Sequence, residues 1–121
     1  MFRSLLAASA LTISSVTATL SPMPAQATGH GCNTVQFPSG AYAHAVQGYV
    51  TGQASQCWYL SVRPGQQARV RILHGPSFFT TTHTNGTFHD VRFRTANGQL
   101  YVYVHSSSGA QERYVIEFVF V

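Results

Sequence analysis

From residue 28 onward the chain is punctuated by turn residues roughly every 8 to 12 positions, and the short stretches between them alternate in polarity. That pattern has period 2, which belongs to strands. Gln67 to Leu73 shows it most cleanly: Ala68, Val70 and Ile72 fall on one side and Arg69 and Arg71 on the other. In Cys57 to Val62, Trp58, Leu60 and Val62 share one face, while Cys57, Tyr59 and Ser61 share the other. Leu100, Val102 and Val104 likewise alternate with Tyr101, Tyr103 and His105. Thr34 to Phe37, Ala45 to Thr51, Phe78 to His83, Thr87 to Arg94 and Tyr114 to Val121 bring the expected strands to about eight. The last is apolar on both faces apart from Glu117, as a central strand would be. Arg63, Pro64, Gly65 and Gln66 suit a type II turn and give the best local hairpin signal, and Asn85–Gly86 and Asn97–Gly98 mark two further turns. The expected architecture is a single all-β, antiparallel, jelly-roll-like sandwich.

Residues 1–27 have the make-up of a cleavable export signal. A short positive start containing Arg3 precedes an apolar run of small residues, and Ala25, Gln26, Ala27 form a signal-peptidase pattern. The run is broken by Ser14, Ser15 and Thr17 and followed by Pro22 and Pro24, so it is too short and too polar to remain in a bilayer. The expected product is a periplasmic or secreted domain of residues 28–121, beginning at Thr28 and with no membrane attachment. Two cysteines in an oxidising compartment pair most simply as Cys32–Cys57.

Charge excludes several classes of function. There is no lysine, and the exported part sets six arginines against Asp90, Glu112 and Glu117, a net charge of +3 without the clustering that nucleic acid requires. Three scattered acids and no Gly-x-Ser-x-Gly elbow give no assembled catalytic site, so the chain reads as a non-enzyme with no catalytic residue and no cofactor. The six histidines lack paired ligand spacing, with one exception. Cleavage before Thr28 would place His30 third from a free amine, a square-planar donor set for Cu(II) or Ni(II). Arg92 and Arg94, beside Asp90, offer a basic patch to an acidic partner. Tyr101 and Tyr103 are suited to stacking a sugar ring or to pairing across strands.

Val35, Phe37, Gly40, Gly48, Gly52, Trp58, Gly65, Gln66, Val70 and Ile72, followed by Asn97, Gly98 and the alternation of Tyr114, Ile116 and Phe118, give a spacing that resembles the bacterial periplasmic inhibitors of g-type lysozyme. The same Gly-Gln and alternating apolar pattern is also similar to the pre-peptidase C-terminal β-sandwich domains. The first resemblance implies a lysozyme inhibitor acting through loops at one end of the sandwich. The second implies a glycan-binding or accessory module. Where the inhibitors carry a tyrosine after the third glycine this chain has Gln53, and its connection to the last strand is short, with Arg113 the basic residue beside it. The expected partner-binding residues are therefore Gln53, Ser106, Ser107, Ser108 and Arg113, with Arg92 and Arg94.

Overall fold

The computed structural model describes residues 20–22 and 31–121. Among them are nine strands: β1 (Leu20–Pro22), β2 (Asn33–Thr34), β3 (Ala43–Val50), β4 (Ser55–Ser61), β5 (Gln67–His74), β6 (Phe78–Thr81), β7 (Asp90–Arg94), β8 (Gln99–His105) and β9 (Glu112–Phe120). They form a five-stranded sheet, β1-β3-β9-β5-β7, and a four-stranded sheet, β2-β4-β8-β6. The eight expected strands correspond to β2 to β9, with ends shifted by a few residues. β9 is central, as its two-sided apolar pattern requires.

Period 2 sorts each strand into an inner and an outer row. Trp58 and Leu60 from β4, Ala68 and Val70 from β5, Leu100, Val102 and Val104 from β8, and Tyr114, Ile116 and Phe118 from β9 are buried in one core between the sheets. Within it, Trp58 Nε1 donates to Tyr114 Oη at 2.8 Å, and Tyr114 Oη donates in turn to Gln56 Oε1. Gly48 is what admits this chain, since a Cβ there would lie 2.6 Å from Tyr114 Oη. The paired polar tips let two large aromatic residues be fully buried without an orphaned donor.

Two features depart from the expectation. The Arg63–Gln66 turn exists, with Gly65 at φ 77°, but it does not close a hairpin. It carries the chain from β4 in one sheet to β5 in the other, and Thr95 ties it down by donating to Arg63 O at 2.5 Å and accepting from Gln66 N at 2.8 Å. The Asn85–Gly86 and Asn97–Gly98 segments also cross between sheets. From β3 to β9 every strand lies in the sheet opposite its predecessor, so local turn chemistry alone could not reveal the pairing. Secondly, β2 runs parallel to β4, Asn33 opposite Trp58, and the disulfide holds Cys32 beside Cys57 with Cα atoms 4.6 Å apart. The bridge itself is as expected.

β1 pairs in parallel with the β3 edge, Leu20 opposite Ala45, and lies within the expected export signal. The rest of residues 1–27, and the His30 site with its Thr28 terminus, lie outside the described residues.

Candidate functional site

Three connections meet at one end of the sandwich: 51–54 between β3 and β4, 75–77 between β5 and β6, and 106–111 between β8 and β9. A single side chain organises the second and third. Glu112, the first residue of β9, is buried and accepts from Ser77 Oγ at 2.7 Å, Ser107 N at 3.0 Å, Ser107 Oγ at 2.8 Å, Ser108 N at 3.0 Å and Ser108 Oγ at 2.8 Å. These donors, the Ser107 amide first, hold its carboxyl well below the usual carboxylate range. Gly52 N donates to Gly109 O at 2.9 Å, linking the first loop to the third. Gly75 packs against β9 so closely that a Cβ would lie 2.5 Å from Arg113 O, and its φ of 101° excludes most other residues. Ser106 completes the third loop, donating to Ala110 O at 2.8 Å and accepting from Gly109 N at 2.9 Å.

The expected loop residues therefore divide into two groups. Ser107 and Ser108 spend their hydroxyls and amides on Glu112, and Ser106 on its own loop, so all three shape the end. Gln53 and Arg113 project into solvent. Arg113 stands directly opposite Tyr49, which is 53 % exposed, on the outer face of the five-stranded sheet. Leu73, 44 % exposed, lies across the central strand, where a β-bulge between Ile72 and His74 shifts the register. A shallow cleft of about 360 Å³ runs from Tyr49 past Ala54 to Cys57 at the same end.

Arg92 and Arg94 lie elsewhere. Arg94 Nη1 donates to Gly65 O at 2.8 Å, at the opposite end of the sandwich, and both arginines border a separate cleft of about 420 Å³ with Arg69 and Val121. Arg69 is held by Asp90 through contacts of 3.0 and 2.6 Å. The loop residues and this arginine pair are two regions of the surface.

Alternation could have flagged Tyr49, since it falls on the outer row with Ala45 and Gln47. The role of Glu112 could not be read in advance, because four of its donors come from a loop that looked merely polar. Leu73 depends on a bulge that has no sequence marker. Among the described residues no group of three or more His, Cys, Asp or Glu comes together.

No family model and no curated protein sequence matches the chain. Solved structures do. The periplasmic inhibitor of g-type lysozyme from Aeromonas hydrophila superposes with a TM-score of 0.63 at 15 % identity, over 86 % of this chain and 99 % of that one. The Salmonella Typhimurium inhibitor gives 0.58 at 14 %, over 73 % and 96 %. A mutant of the Escherichia coli inhibitor gives 0.58 at 12 %, over 73 % and 96 %. At such identities the likeness is one of architecture: the chain has the all-β, two-sheet fold of the periplasmic g-type lysozyme inhibitors.

Proposed function

We propose that the exported chain is a non-catalytic inhibitor that places the loop end of its sandwich in the substrate cleft of a lysozyme, with g-type enzymes the first to test, in the periplasm or outside the cell. The observation that carries this reading is the loop end itself. Glu112 ties two of the connections together and the Gly52–Gly109 bond adds the third, and Tyr49 and Arg113 stand as an exposed aromatic–cation pair at their margin. A preformed end loses little conformational entropy on docking, and Tyr and Arg are the residues that most often anchor interfaces. Glycosidase clefts carry carboxylates, which a guanidinium complements. The three solved inhibitors share the architecture.

The test is lysis of bacterial cell walls by g-, c- and i-type lysozymes in the presence of the exported protein. Inhibition of the g-type enzyme is expected, weakened about tenfold or more by Arg113→Ser and by Tyr49→Ser. Inhibition of none of the three enzymes would overturn the reading.

A further inference from the structure

The four-stranded sheet carries no Asp, Glu, Lys or Arg in any of its strands. Its outer face is instead a band of rings. Tyr59 on β4 stands opposite Tyr101 on β8, with ring centroids 5.0 Å apart. Tyr103 and His105 follow on the same row of β8, and Phe78 on β6 stacks on His105 at 5.2 Å with planes 19° apart. All five are part-exposed, between the buried inner row and the open loop positions. From Tyr101 to His105 the band spans about 14 Å along the strand, two side-chain repeats. Ser61, Gln99 and Thr80 flank it with hydroxyl and amide groups, and Thr80 Oγ1 lies 3.4 Å from His105 Nε2.

Ring pairs stabilise a sheet, but ring pairing accounts for two contacts, and Tyr103 between them stands opposite Cys57 on β4 and Thr80 on β6 instead of another ring. A row of part-exposed rings without Asp, Glu, Lys or Arg on an outer sheet face is the kind of surface that a ligand covers. The geometry points to a second binding site here, for an extended, uncharged, equatorially linked polysaccharide of the chitin or cellulose type. Pyranose rings of such a chain present flat C–H faces that stack on aromatic rings, and their equatorial hydroxyls reach outward to a polar rim. The absence of Arg and Lys from its strands disfavours an acidic polymer, which the arginines of the other sheet would suit far better. The band starts beside the loop end, where Phe78 and His105 adjoin connections 75–77 and 106–111, and runs away from it along β8; it does not depend on the function proposed for that end.

The experiment is co-sedimentation of the exported protein with insoluble chitin and cellulose, and titration with soluble chitooligosaccharide, at low and high salt. Retention on at least one polymer is expected, undiminished by salt. The double variant Tyr101→Ser/Tyr103→Ser should bind about tenfold more weakly, and Tyr101→Phe/Tyr103→Phe should stay within about twofold of the parent, because stacking needs the ring and not the hydroxyl. If the double serine variant melts early, the single Tyr103→Ser, between the two ring pairs, takes its place with about a threefold loss. Arg113→Ser and Tyr49→Ser, which test the loop end, should leave polysaccharide binding unchanged. No retention on either polymer would overturn the assignment, as would equal retention by a folded serine variant. Binding released by salt and lost in Arg92→Ser/Arg94→Ser would overturn it too, by moving the contact to the other sheet.

Discussion

The two sheets share one core and differ in almost everything they show to solvent. The five-stranded sheet bears Arg69, Arg71, Asp90, Arg92, Arg94, Glu112, Arg113 and Glu117, every charged residue found in a strand, whereas the four-stranded sheet bears rings, hydroxyls and amides. The first is held outside by ion pairs, the second by ring contacts and a disulfide. One fold thus presents a side that carries every Asp, Glu and Arg of the strands and a side that carries none.

The largest effect should come from the neutral side. Cys32→Ser/Cys57→Ser frees β2 from β4 and is expected to cost about 3 kcal/mol, or roughly 15 °C in Tm, by thermal melting. Next is a buried carboxylate with a single arginine partner on the charged side. Glu117 is 7 % exposed and takes Arg71 Nε at 2.7 Å, so Arg71→Leu strands a carboxylate and should cost about 2 to 3 kcal/mol in urea unfolding. A cost as small as that of an exposed pair would mean that solvent reaches Glu117. Tyr101→Ala, which deletes one of the rings on the neutral side, should cost about 1 to 2 kcal/mol by the same measurement.

Acid should then separate the sheets. Burial pushes the His44 imidazole below its ordinary 6.5, so the folded state binds that proton more weakly than the unfolded chain. Stability from this group is complete above about pH 6.5 and is lost as pH falls through the lowered value. Glu112 and Asp90 are depressed as well, so their contributions are complete above the ordinary carboxylate range and fade as pH drops below it. Tm should fall in two stages on acidification, His44→Phe removing the first and Glu112→Gln reducing the second. An unchanged acid profile in both variants would place the pH response outside the five-stranded sheet. The smallest effect belongs to Arg69→Ser, whose exposed pair with Asp90 should leave Tm unmoved within error.

The rows of each sheet were legible because alternation is a property of one strand at a time. Ala68, Val70 and Ile72 turn inward and Arg69 and Arg71 outward as their spacing requires, and a two-sided apolar pattern placed β9 at the centre of its sheet. The partners of each strand were not legible. Pro64–Gly65 looks like a hairpin because its φ values suit one, yet the same turn passes between layers, a choice made by Thr95 some thirty residues on. The candidate site divides in the same way. Arg113 and Gln53 could be named from their loops, but the burial of Glu112 beneath three serines arises only when 75–77 and 106–111 converge, and no local signal encodes that meeting.

The shuttling of the chain between layers has a kinetic consequence. Because no strand from β3 to β9 forms a ladder with its sequence neighbour, and the single Phe79–Phe88 bridge around Asn85–Gly86 is the nearest thing to a hairpin among the described residues, each ladder must wait for a distant segment to arrive. One layer has no means of zipping ahead of the other. Slow, concerted condensation of both layers is the expected outcome, and a nick or deletion in any one crossing should abolish the whole transition instead of trimming a part of it.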